Sequence, residues 1–169
     1  MSESEIKIGI VGLDSSHAVQ YAKLLHEKDH THHVPGGRIV AAYAGGSPDW
    51  ELSHGRVAGF REELVRGYAI PVMDTIAEVV AVADAIMILT IDGRVHLEQF
   101  RTVAASGKPV YIDKPLTATV DEARQLAGVA QQTGCRVFSS SVWRYAAGLR
   151  DAMRALSGPV RHVSLHGTW

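Results

Sequence analysis

The chain has 169 residues, 46% apolar and 21% charged, the composition of a globular protein with room for one well-cored domain or one plus the start of another. Its 17 Lys+Arg against 18 Asp+Glu leave a formal charge of −1, which gives no electrostatic footprint for nucleic acid or an anionic membrane. A single cysteine, Cys135, excludes an internal disulfide framework. The acidic start is not a signal peptide and the apolar run 85–89 is too short to cross a bilayer, so the cytoplasm is the expected compartment.

Short apolar strands alternate with amphipathic helices along the chain. A first strand is expected over 6–11, followed by a helix whose Ala18, Tyr21, Ala22 and Leu25 recur at helical spacing. The turn Pro35-Gly36-Gly37 leads into a strand over 38–44. A short helix over 62–66 and a strand over 69–73 come next, and Pro71 places that strand at a sheet edge. Thr75 with Glu78 is a capping box opening a helix to residue 82. Residues 83–90 then read as a strand apolar on both faces, as buried parallel strands are. Leu97, Phe100 and Ala104 mark a helix ending at Gly107, ahead of a strand over 110–112. Thr119 and Glu122 cap a helix with Ala123, Leu126, Ala127 and Ala130 on its buried stripe, stopped by Gly134. A strand over 136–139 follows. This alternation predicts an α/β fold, a doubly wound, mostly parallel Rossmann-like sheet with helices on both faces. Residues 1–142 form that domain. The remainder, 143–169, is a linker helix over 147–156 and a terminal strand over 160–169, which needs a second copy of the chain or a longer protein to pair with.

The first strand runs into Gly12-Leu13-Asp14-Ser15-Ser16-His17 and opens a helix, the place where a dinucleotide pyrophosphate meets free N–H groups and the positive end of a helix dipole. Only Gly12 is in register with the G-x-G-x-x-G pattern; Asp14 and His17 stand where the second and third glycines belong. An ionised Asp14 about 5 Å from a pyrophosphate charge would cost roughly 3 kcal/mol at an effective dielectric of 20. Its carboxylate is equally suited to capping the helix. The second strand ends in Gly45-Gly46-Ser47, without the acid that reads an NAD ribose. That absence leans toward NADP, with Arg56 or Arg61 folding back, but leaves the choice between NAD and NADP open.

Several ordered segments resemble the Gfo/Idh/MocA oxidoreductases. Lys108 to Leu116, K-P-V-Y-I-D-K-P-L, is similar to their K-P-V-x-x-E-K-P-L stretch. His96 matches the histidine after their T-P-N turn, which here reads Ile91-Asp92-Gly93. Ser139 to Tyr145 resembles their stretch ending N-x-R-F, and Gly158-Pro159-Val160 their lead-in to a second domain. The likeness is strongest to a dehydrogenase branch carrying G-L-D-[ST]-S-H, G-G-S-P-D, D-G-R-x-H-L-E-Q and I-D-K-P-L. The resemblance implies NAD(P)-dependent hydride transfer on a sugar, cyclitol or related small compound. It implies Lys114, Asp113 and His96 as catalytic candidates, with the Lys114 ammonium beside a developing alkoxide. The cofactor candidates are Gly12, Leu13, Asp14, Ser15, Ser16, His17, Gly45, Gly46, Ser47, Thr90 and Lys114. It further implies that the last strand begins a truncated second α+β domain, so that the chain alone is weakly active or inactive, and that the protein is a homo-oligomer.

Other clusters read more plainly. His26 and His30 have a ligand-like i, i+4 spacing near His32 and His33, but such groups are mostly solvated loop residues, and no metal site is assigned. His162 and His166 lie about 13 Å apart if the segment is a strand. Arg144 is expected to pair with a surface acid, and Cys135 to be a buried small residue. The competing functional reading is a non-catalytic module that binds a nucleotide or small ligand and dimerises through its last strand. A ligand-free structural partner is a third reading.

Overall fold

The computed structural model describes residues 5–164. The chain divides into two compact units, Met1–Ser139 and Ser140–Trp169. In the first, six strands form one wholly parallel sheet: β1 (Ile6–Val11), β2 (Gly37–Tyr43), β3 (Val72–Met73), β4 (Ala85–Ile88), β5 (Val110–Ile112) and β6 (Val137–Ser139). Their order, β3-β2-β1-β4-β5-β6, reverses direction at β1, which is the doubly wound arrangement.

Side-chain alternation on the strands builds two cores. Ile10, Ile39, Ala42 and Leu89 face α1 (Ser16–His26) and α2 (Glu51–Tyr68), packing on Ala18, Val19, Ala22 and Leu64. Val11, Ile86, Ile88, Val110 and Ile112 face the other way, toward α3 (Ile76–Val82), α4 (His96–Ala104) and α5 (Val120–Thr133), whose Val79, Phe100, Val103 and Leu126 complete that layer. Each wholly buried Ile or Leu contributes about 2 kcal/mol of burial free energy. Both capping boxes form, at Thr75 with Glu78 and Thr119 with Glu122, and Gly134 caps α5 in the left-handed conformation.

Several elements differ from expectation, and of the strand over 83–90 β4 keeps Ala85–Ile88. The short helix over 62–66 is the last part of the 18-residue α2. Gly55, Gly59 and Gly67 dilute its pattern, and it buries only Ser53 and Leu64, with Val57, Phe60 and Tyr68 packed alongside. The strand over 69–73 shrinks to the two residues of β3, and it does sit at the sheet edge. The second unit holds a 3-10 turn (Val142–Tyr145) and α6 (Ala147–Ala155), neither burying a residue. Residues 160–164 carry no regular secondary structure, and the rest of the expected terminal strand, with His166, lies outside the described residues. Among the described residues no helix is long and apolar enough to cross a membrane.

Candidate functional site

Four loops meet beyond the carboxyl ends of β1, β2, β4 and β5, the edge of the sheet where ligands bind in this architecture. Gly12 ends β1 at φ 100°, and a Cβ there would stand 2.3 Å from Thr90 Oγ1 and 2.5 Å from the Thr90 nitrogen. Only glycine lets the β1–α1 loop lie this close to the end of β4. The Gly12 and Leu13 N–H groups donate to the Tyr43 and Ala44 carbonyls at 2.9 and 2.7 Å, extending the β1–β2 ladder into the loop. Leu13 is wholly buried, so its side chain belongs to the core. Ser15 is the N-cap of α1, its Oγ accepting from the His17 N–H, and Ser16 is exposed at the first helical position.

Asp14 neither caps the helix nor faces outward. It is wholly buried, Oδ2 accepting from Ser53 Oγ at 2.6 Å and Oδ1 from the Ile91 N–H at 3.2 Å. The carboxylate is turned toward α2 and the β4–α4 loop. Both of its oxygens are engaged there rather than at the start of α1, where the expected repulsion would act.

The other motif residues pair in the same manner. Ser47 donates its hydroxyl to Asp92 Oδ2 at 2.5 Å and its N–H to Ser53 Oγ at 2.8 Å. Arg94 joins Asp92 through Nε and Nη2, and Asp49 through Nη1 and Nη2. The Arg94 hydrogen bonds hold the Asp92 carboxyl well below the usual aspartate range, and the same guanidinium lowers Asp49. Gly93 is pressed against the β5–α5 loop, where a Cβ would meet Pro115 Cγ at 2.9 Å and the Thr117 backbone at 3.0 Å. Thr90 and Gln99 exchange hydrogen bonds in the interior.

His96 is wholly buried. Its Nδ1 lies 2.9 Å from the Pro115 carbonyl and its Nε2 2.7 Å from the Thr90 carbonyl. Either tautomer therefore places a ring N–H on a loop carbonyl, tying the end of β4 to the segment after Lys114. Lys114 itself is exposed and its peptide bond to Pro115 is cis. Asp113 is buried, with Oδ2 2.5 Å from His17 Nδ1 and Oδ1 accepting from the Tyr111 hydroxyl at 3.2 Å. Burial pushes its carboxyl up, but hydrogen bonds from the His17 ring and the Lys114 backbone, with the Lys114 charge, bring it below the ordinary value.

Hydrogen bonds and close approaches thus link the loops that carry Gly12, Asp14, His17, Ser47, Thr90, His96 and Asp113 at the carboxyl end of the sheet, with Lys114 exposed beside them and His96 and Thr90 in the interior. Gly45 and Gly46 both take positive φ in the turn before Ser47, and a Cβ on Gly45 would lie 3.3 Å from Gly12 Cα. Arg56 lies over the Phe60 ring instead, and no hydrogen bond or ion pair among the described residues joins Arg56 or Arg61 to that turn. Ser53, Asp49, Asp92, Arg94, Gln99 and Tyr111 are site residues that sequence reasoning left without a role. All but Ser53 are letters of the quoted segments.

The histidine cluster serves the fold. His26 Nε2 accepts from the Ile39 N–H at 3.0 Å, His30 Nδ1 accepts from the His32 N–H, and His33 Nδ1 lies 3.0 Å from the Leu24 carbonyl. No group of three potential ligands could hold a metal ion among the described residues. Cys135 is buried with its thiol on the Lys108 carbonyl, and burial raises its pKa. Arg144 is exposed and has no ion pair among the described residues.

The residues of the crevice fit a dinucleotide: a glycine where the loop must stay flat, a serine-capped helix start, and a carboxylate turned inward at the second glycine position. Comparison with known proteins agrees. Dehydrogenase MviM from Clostridium difficile is 21% identical, with a TM-score of 0.65 over 89% of this chain and 44% of its own. UDP-N-acetylglucosamine 3-dehydrogenase GnnA from Acidithiobacillus ferrooxidans is 19% identical, with a TM-score of 0.64 over 91% and 42%. Apo scyllo-inositol dehydrogenase from Lactobacillus casei is 22% identical, with a TM-score of 0.60 over 91% and 43%. At such identities the likeness is one of fold, and the chain spans less than half the length of these solved proteins. No curated protein matches. The profile of the oxidoreductase family with an NAD-binding Rossmann fold matches residues 6–141, and the chain belongs to that family, Gfo/Idh/MocA.

Proposed function

We propose that the chain is the dinucleotide-binding part of an NAD(P)-dependent oxidoreductase acting on a sugar, cyclitol or related small hydroxy or carbonyl compound. The inward turn of Asp14 is the observation that carries this reading, because it leaves the α1 N-terminus without an acidic side chain of its own loop facing the crevice. The nicotinamide supplies the hydride acceptor or donor. Gly12 keeps the loop flat, and Ser15, Ser16 and His17 form the polar rim at the start of α1. In this proposal Lys114 donates to a substrate oxygen as negative charge develops there. Asp113 acts through its neighbours, anchoring the Lys114 backbone and the His17 ring. His96, closed off from the crevice, is a positioning residue that fixes the loop carrying Lys114.

Titration of the purified chain with NADH and NADPH, followed by nicotinamide fluorescence, tests the proposal. Saturable binding of at least one is expected, weakened by Gly12→Ala. Absence of binding by the wild type overturns the dinucleotide reading and favours a module for another small ligand.

A further inference from the structure

In this architecture the ribose of the adenosine half is read at the end of β2. Here the groups at that point are already committed. The Ser47 hydroxyl is spent on Asp92 and its N–H on Ser53, while Gly45 and Gly46 offer no side chain. Asp92, the partner of Ser47, also lines a cavity with Asp49, Trp50 and Arg94 among others. Arg94 is the cation of that cavity, and carboxylates hold it on both sides. Nε and one Nη2 contact bind Asp92 at 2.9 and 2.6 Å, and Nη1 and Nη2 bind Asp49 at 2.9 and 3.1 Å.

The two halves of this clamp differ. The Asp92 side chain is 4% exposed and is further fixed by Ser47 and by the Arg94 N–H, so it pins the arginine in place. The Asp49 side chain is 65% exposed and holds only the outer edge of the guanidinium. The three side chains carry a net charge of −1. A phosphate entering the cavity would have to displace Asp49 from the arginine and then lie beside two carboxylates.

On the reading that the crevice binds a dinucleotide, we infer that Asp49 is a specificity-determining residue: by occupying the outer edge of Arg94 it makes the site reject a ribose 2′-phosphate, so that the protein takes NAD rather than NADP. Gly45-Gly46-Ser47 on its own pointed the other way. The turn does leave space, but the Ser47 hydroxyl and N–H and the Arg94 guanidinium are paired within the protein. Removing Asp49 would leave Arg94 still pinned by Asp92, with two N–H groups directed outward at phosphate-binding geometry.

The test is the ratio of NADPH to NADH dissociation constants for the full chain, wild type against Asp49→Asn, Arg94→Gln and the double variant. The wild-type ratio is expected to exceed about 10, and Asp49→Asn to lower it by about tenfold or more, the scale of one charge-assisted phosphate contact. The gain should vanish in the Arg94→Gln background, since the arginine is what Asp49 withholds. Displacement of bound NADH from the wild type by 5′-AMP and by 2′,5′-ADP gives the same comparison without any variant, and 5′-AMP should compete better. A wild type that binds NADPH as tightly as NADH, or an Asp49→Asn ratio equal to the wild-type ratio, overturns the inference and leaves the dinucleotide reading intact. Failure of the wild type to bind either dinucleotide overturns both.

Discussion

Replacing Asp14 by alanine separates two roles that the residue's position in the loop leaves confounded. In the structure the wholly buried carboxylate accepts from Ser53 Oγ at 2.6 Å and from the Ile91 N–H at 3.2 Å. Hydrogen bonds to a charged acceptor are worth about 1.5–3 kcal/mol each, and both donors would be left in the interior without a partner. Relief of the cost of burying the charge offsets part of that loss. A net destabilisation of about 3 kcal/mol follows, which lowers the melting temperature of a unit this size by about 10 °C. Asp14→Asn keeps an acceptor for the Ile91 N–H and should lose about 1 kcal/mol. Urea unfolding of the wild type, both Asp14 variants, Ser53→Ala and the Asp14→Ala/Ser53→Ala pair measures these values. The pair should couple by more than about 0.5 kcal/mol. NADH affinity, read on the same proteins, should change by no more than a few-fold. If the carboxylate instead faced the anion site, Asp14→Ala or Asp14→Gly would cost no stability and tighten binding by about two decades. An Asp14→Ala stability within about 0.5 kcal/mol of the wild type refutes the reasoning.

Two further outcomes rest on local geometry. His26 must be unprotonated at Nε2 to accept the Ile39 N–H, and its pKa is lowered by burial first and by the Arg38 charge second. The unfolded chain therefore binds a proton below about pH 6.5 that the folded chain resists, so the ring's contribution is complete above that pH and is lost as pH falls through the folded value. Urea midpoints between about pH 7.5 and 5 should fall in the wild type and fall less in His26→Gln; equal slopes would remove His26 as the cause. Gly12→Ala should cost about 2–4 kcal/mol, because it combines a φ of 100° with a Cβ 2.3 Å from Thr90 Oγ1. Gly36→Ala, at φ 91° with nothing within 4 Å of the added Cβ, isolates the conformational part and should cost clearly less in the same denaturant series.

The features legible from the amino-acid order are those that neighbouring residues decide. The capping boxes at Thr75 and Thr119, the stop at Gly134 and the doubly apolar β4 need only a few consecutive side chains to declare themselves. α2 was visible only at its end because its contact with the sheet is sparse: one leucine is fully buried, and its other wholly enclosed residue is a serine. That serine is also why the role of Asp14 could not be read. Ser53 lies 39 positions away, Ile91 lies 77, and the His17–Asp113 pair spans 96, so nothing local marks the partners. The motif letters mark residues that the fold brings to one end of the sheet, while hiding that several of them address one another. His96 shows this most plainly, since its position after β4 suggests a reactive group while its buried ring lies between two loop carbonyls, one at each nitrogen.

The pairing of Asp14 with Ser53, of His17 with Asp113 and of Ser47 with Asp92 has a consequence for how these positions can be replaced. Glycine at position 14 would on its own leave the hydroxyl at 53 and the amide at 91 without their acceptor together. Glycine at position 17 would likewise take the ring partner from the buried acid before Lys114. Replacing one member of such a pair alone leaves the other's polar group without its partner, so joint replacement is expected to cost less than the two single changes added together.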